Sequence, residues 1–186
     1  MIINHNKEKT YNAITYFVEN TILCNKKKTY KLLYFLDFLH FEKTGRSVTG
    51  FEYYAWDMGP VPKVLHQAIQ NNDEELLEHF EIEHHFTGEY ESISLKSRRP
   101  FERKYFSRRE LKLLEEIATN FYMQTGKEME DFTHREGTPW HRVYKVEENR
   151  NGEIPYAYQL DDLEESERYT ILSISEERKS FFETYK

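Results

Sequence analysis

The sequence predicts a mainly α fold of the α+β kind, a compact helical domain around a buried central helix with a small antiparallel β-sheet. Three observations predict it. Residues 29–44 carry apolar side chains on nearly every helical face (Leu32, Leu33, Tyr34, Phe35, Leu36, Phe38, Leu39, Phe41). A helix hydrophobic all round is buried by several neighbours. Other stretches repeat apolar residues at helical spacing on one face only, as surface helices of a globular domain do. A few short runs rich in aromatic and β-branched residues, bounded by glycine, read as strands.

Taken in order, Tyr11, Ile14, Val18 and Ile22 form one stripe and predict an amphipathic helix over 7–23. Asn25 and the three lysines after it read as a polar break before the central helix. Gly45-Arg46 and Thr49-Gly50 are turn signals leading to an aromatic strand over 51–56. Gly59-Pro60-Val61-Pro62 reads as a rigid corner, with Pro62 at a helix start where its missing N–H costs nothing. The helix it opens, 62–70, buries Val64, Leu65, Ala68 and Ile69, and a short helical piece over 74–78 follows. Residues 80–82 and 90–95 read as strands about the turn Thr87-Gly88, joining the aromatic strand in one sheet. Ser107 and Glu110 form a capping box, and the helix it starts runs toward Gly126 as its terminator. Residues 127–133 read as one or two helical turns. Thr138-Pro139 starts another helix through 144, and 148–152 is a polar break. Ser173 and Glu176 suggest the cap of a final helix whose apolar face is Phe181, Phe182 and Tyr185.

Length and composition narrow the class. The 186 residues suit one domain, with residues 1–150 as its body and 151–186 as an acidic C-terminal extension. Only 38% of residues are hydrophobic, but 14 Tyr and 13 Phe supply large core side chains. Net charge is −7, which argues against nucleic acid as a partner. From Glu147 onward eleven acids face five bases, so nearly all of that charge sits in the last fifth. The extension either packs back over the core or reaches a basic patch on a partner. One stretch runs the other way: Lys96, Arg98, Arg99, Arg103, Lys104, Arg108, Arg109 and Lys112 are opposed only by Glu102 and Glu110. It reads either as a solvated linker or as a patch for an acidic protein surface. A lone Cys24 leaves no internal disulfide and fits a reducing compartment. No apolar run approaches a membrane span and no apolar leader segment opens the chain, so a soluble cytoplasmic protein is expected.

Two ordered motifs carry a resemblance. The first is K-L-x-Y-x-x-D-x-x-H followed by G-R-x-V-T-G and, after the aromatic strand, G-P-V. It comprises Lys31, Leu32, Tyr34, Asp37, His40, Gly45, Arg46, Val48, Thr49, Gly50, Gly59, Pro60 and Val61. The second is T-H-x-E-x-x-P-W: Thr133, His134, Glu136, Pro139 and Trp140. Together they resemble the Panacea domain, also called SocA-like or DUF4065, over roughly residues 8–145. The resemblance implies an antitoxin of a bacterial or phage toxin–antitoxin system, which neutralises a toxin encoded nearby by direct contact. One branch of the family acts instead as an adaptor delivering its toxin to the ClpXP protease. Either way the resemblance implies a cytoplasmic protein without catalysis, and a separate DNA-binding module is not visible here.

The residues themselves name no enzyme. Asp37 and His40, at i and i+3, can share a face and hydrogen-bond, either as a buried self-satisfying pair or as a general-base dyad. No nucleophile motif, phosphate loop or metal-ligand spacing accompanies them. His84 and His85 adjoin in a strand and point to opposite faces, so they cannot chelate one metal jointly. Candidate partner-binding residues are Tyr34, Asp37, His40, Tyr53, Trp56, Gly59 and Pro60. Lys31, Leu32, Gly45, Arg46, Thr49, Gly50, Val61, Thr133, His134, Pro139 and Trp140 are expected to be structural. No cofactor or metal is expected.

Overall fold

In the computed structural model, residues 5–88 and 90–184 are described. The order is α1 (His5–Asn20), α2 (Lys26–Thr44), β1 (Tyr53–Trp56), β2 (Gly59–Pro62), α3 (Lys63–Gln70), α4 (Glu74–His79), β3 (Phe80–Thr87) and β4 (Tyr90–Ser97). A 3₁₀ turn at Arg103–Tyr105 leads to α5 (Arg108–Asn120), α6 (Glu128–Thr133) and α7 (Pro139–His141). The last of these continues as a π-helical turn over Arg142–Val146, and a 3₁₀ turn at Tyr156–Leu160 precedes α8 (Glu165–Thr184). The protein is mainly α with two small antiparallel β-hairpins.

The central helix behaves as its composition demands. Twelve of the residues in α2 are buried, among them Leu32, Leu33, Leu36 and Phe38 at 0–1% exposure. It packs against α1, α5, α6, α8 and β2. It begins earlier than the lysine run suggests. The Asn25 side chain caps it by accepting from the Lys28 N–H, and Lys28 is wholly buried. Its ammonium donates to the carbonyls of Ile22 (2.7 Å) and Tyr122 (3.0 Å), satisfying a charge that the sequence pattern assigns to solvent. Gly45 ends the helix in the left-handed region at φ 66°.

The expected single sheet is two separate ribbons. Gly59–Pro62 is a strand rather than a corner, paired with β1 from Tyr53↔Pro62 to Trp56↔Gly59. Proline is tolerated because this is an edge strand of a two-stranded ribbon. The free edge of β1 meets residues 151–154: Ala55 N–H donates to Gly152 O, and Asn151 and Ile154 N–H donate to Ala55 O and Tyr53 O. With both edges taken, β1 has none left for the β3–β4 hairpin, whose register runs Phe80↔Ser97 to Thr87↔Tyr90.

The capping box at Ser107 forms, with reciprocal Ser107 and Glu110 bonds. The helix stops at Asn120 instead of Gly126. Beyond 150 the chain packs onto the same core: Ile154 and Leu160 are buried, and the Tyr156 hydroxyl donates to Phe51 O at 2.5 Å. The final helix starts at Glu165, so Ser173 is mid-helix and not a cap. Phe181 is exposed, while the Phe182 side chain and Tyr185 lie outside the described residues. Among the described residues no helix is long and apolar enough to cross a membrane.

Candidate functional site

The loop at residues 45–50, between α2 and β1, presents two faces. Its inner face closes on Asp37, which is fully buried. One carboxylate oxygen accepts the N–H groups of Val48 (2.7 Å) and Thr49 (2.8 Å). The other accepts the hydroxyls of Thr49 and Tyr53, the latter at 2.7 Å. Burial pushes the Asp37 carboxyl up to about 6, against the pull of these four donors. Tyr53, buried beside that carboxylate, is held well above the ordinary phenol range.

The expected Asp37–His40 hydrogen bond is not made. The loop supplies closer partners to both: His40 Nδ1 donates to the Arg46 carbonyl at 2.7 Å. Burial depresses the His40 pKa, consistent with a neutral ring holding its proton on that bond. Its Nε2 lies 3.9 Å from Glu110 Oε1, which accepts from Lys9 Nζ at 2.6 Å. Burial, the largest single influence on Glu110, raises its pKa, but Lys9 and the Ser107 N–H outweigh it and leave the carboxyl below its ordinary value.

The two motifs meet around a second buried lysine. Lys31, 1% exposed, donates to Met58 O at 2.6 Å and underlies Gly59. A Cβ on Gly59 would stand 2.9 Å from the ammonium, and its φ of 104° also requires glycine. Burial lowers the Lys31 pKa to about 8. Trp140, in the core, donates its indole N–H to Trp56 O at 2.9 Å. It is sandwiched between His134 (centroids 3.7 Å) and Tyr144 (4.5 Å). His134 stacks on Trp140, and the Thr138 side chain caps α7 through the His141 N–H. Leu32, Val61, Thr133 and Pro139 are buried around this junction.

The seven candidate partner-binding residues therefore divide unevenly. Tyr34, Asp37, His40, Tyr53, Gly59 and Pro60 are buried in the free chain, where Asp37, His40 and Tyr53 make internal hydrogen bonds. Trp56 is half-buried, its ring 4.8 Å from that of His66. His84 and His85 bond to Glu91 (2.6 Å) and Ser94 (2.7 Å) across their hairpin.

The outer face of the same loop walls an open groove of about 1340 Å³. The start of α5, residues 155–157 and α8 also line it. Gly45 lets α8 approach: a Cβ there would stand 2.7 Å from the Ile171 carbonyl. His40 and Glu110 lie in the lining, so the buried knot and the groove share a wall. Lys9, Tyr156 and Arg178 were not singled out from the sequence, because α1, the 3₁₀ turn and α8 bring them here only in the fold. Arg108 and Arg109 were visible as part of the basic cluster, whose other members Lys96, Arg99 and Lys112 pair with Glu81, Glu78 and Glu116 at 3.5–3.6 Å.

A family model described as Antitoxin SocA-like, Panacea domain, matches residues 30–141, from the second residue of the buried stretch of α2 beyond Lys28 to the end of α7. The chain belongs to this family. No curated protein and no solved structure matches it. Both motif blocks fall within the match, whereas α1, the 3₁₀ turn at Tyr156–Leu160 and α8 lie outside it. The groove is thus walled by family residues on the loop and α5, and by residues outside the match on α1 and α8.

Proposed function

We propose that this protein is an antitoxin that neutralises a cognate toxin by direct protein–protein contact. The observation that carries the proposal is the family match across 112 residues, counted from the printed bounds 30–141. The chemistry of the motifs supports a binding role over a catalytic one. Asp37 has both oxygens occupied by internal donors, and His40 has committed Nδ1 to a backbone carbonyl. A general base needs a free lone pair within reach of substrate, and Asp37 has none to offer. What these groups do here is hold the loop, leaving recognition to the surface that the loop presents.

Co-expression with the product of the neighbouring gene tests this directly, scored by growth and by co-purification. Growth arrest by the neighbour alone, relieved by this chain in a stable complex, is expected. A harmless neighbour that forms no complex would overturn it. Relief that vanishes in cells lacking ClpXP would assign the chain to proteolytic delivery instead. Rescue lost in a folded Asp37→Asn or His40→Ala variant whose complex persists would point to catalysis.

A further inference from the structure

We infer that the groove between the 45–50 loop, the first turn of α5 and α8 is the docking site for an acidic, partly apolar segment of the protein partner; the identity of that partner as a toxin rests on the antitoxin reading above. Charge is the first argument. Six cations line the groove (Lys9, Arg46, Lys104, Arg108, Arg109, Arg178) against three carboxylates, Glu110, Glu153 and Glu176. That is an excess of three positive charges on a chain whose net charge is −7. Glu110 and Lys9 are spent on each other, and Lys104 pairs with Glu102, so the charge the argument rests on is that of Arg46, Arg108 and Arg109.

Arg46, Arg108 and Arg109 are exposed, and no carboxylate among the described residues lies within ion-pair distance of them. Some surface cations elsewhere are paired, as at Lys7–Glu75, Arg142–Asp161 and Arg168–Asp161, and others, such as Lys63 and Lys145, stand singly; what sets the groove apart is that its three arginines share one lining. Clustered like charges repel, and the groove bears that cost. Desolvation and the nearby Arg46 both hold the Arg178 guanidinium below its ordinary value. The dipole of α5, thirteen residues long, adds positive potential at the same wall.

Shape and lining choose among anions. At about 1340 Å³ the groove exceeds the roughly 300–1,000 Å³ of small-molecule pockets and is open along its length, which suits a chain segment. The partly exposed Tyr156 and Leu172 share the lining with the cations, backed by the buried Phe41, Val48 and Phe106. Such walls bury apolar side chains set between acidic ones. Arginine forks match carboxylates bidentately. A nucleic acid would extend its phosphates past the groove onto a surface of pI about 5.7 and meet repulsion there.

Fluorescence anisotropy with the full chain tests this without the partner. The probe is a labelled peptide of Glu and Asp interspersed with Leu and Phe, alongside a single-stranded oligonucleotide of equal charge. The peptide should bind, with affinity falling as salt rises. Arg46→Glu/Arg108→Glu/Arg109→Glu should weaken it about tenfold or more, the same three changes to Gln less so. The control Lys63→Glu/Lys145→Glu, on exposed residues away from the groove, should leave it within about twofold. Circular dichroism verifies that each variant is folded. Absent peptide binding, equal loss in the control, or preferential binding of the oligonucleotide overturns the groove assignment. None of these outcomes depends on the neighbouring gene, so failure of neutralisation and failure of docking are separable.

Discussion

The 45–50 loop has an inner and an outer face, and they treat charge in opposite ways. Inside, one carboxylate meets four donors, two at each oxygen. Outside, Arg46 of the loop and Arg108 and Arg109 of α5 have no carboxylate within ion-pair distance among the described residues. A satisfied buried network specifies a fold, whereas charge left unneutralised on a surface is available to a partner. The comparison teaches that a single motif, G-R-S-V-T-G, divides its labour by side-chain direction: Val48 and Thr49 serve the core, and Arg46 faces the groove.

Changes on the inner face should cost the most stability. Asp37→Asn puts an amide N–H₂ among groups that are themselves donors, so at least one buried donor loses its acceptor. A loss of about 3 kcal/mol or more is expected, read from the urea midpoint at neutral pH. A loss under about 1 kcal/mol would show that the inner network does not hold the loop.

Lys31 gives the next largest effect, through pH. Its folded-state pKa of about 8 lies below the ordinary 10.5, so between those values the unfolded chain binds more protons than the folded one. Stability contributed by this group therefore rises as pH climbs from about 8 to about 10.5, by about 3 kcal/mol, and is flat below that window. Wild type should gain stability over Lys31→Met across that range. Parallel curves for the two would remove the buried charge from the picture.

Gly45→Ala comes third. The left-handed φ of 66° and the approach of the Ile171 carbonyl both oppose a methyl group, for a cost of about 1–2 kcal/mol. Because that contact seats α8, limited proteolysis should cut the helix sooner in the variant than in wild type. Unchanged cleavage would mean α8 is held by other contacts.

The inner network was partly legible before the fold was known, and the groove hardly at all. The buried central helix and the Ser107 capping box follow from local pattern, since each is written in residues close together in the chain. Lys28 defeats the pattern: a lysine run reads as solvated, and only the fold brings the carbonyls of residues 22 and 122 within reach of its ammonium. Gly59–Pro62 was read as a corner because two prolines argue against a strand, yet an edge of a two-stranded ribbon makes no demand on their missing N–H groups. Motif spacing alone does not sort core from contact residues; burial puts Tyr34, Asp37 and Tyr53 in the core of the free chain. The groove draws on α1, α2, α5 and α8, and no local signal links residues 9, 46, 108 and 178.

The division of labour on this loop is tested most directly by titration calorimetry of the neighbouring gene's product against Arg46→Glu/Arg108→Glu/Arg109→Glu. The predicted result is a variant with the wild-type urea midpoint and an affinity reduced about tenfold or more. Unchanged affinity in the folded variant, or lost affinity only because the variant has unfolded, would contradict it.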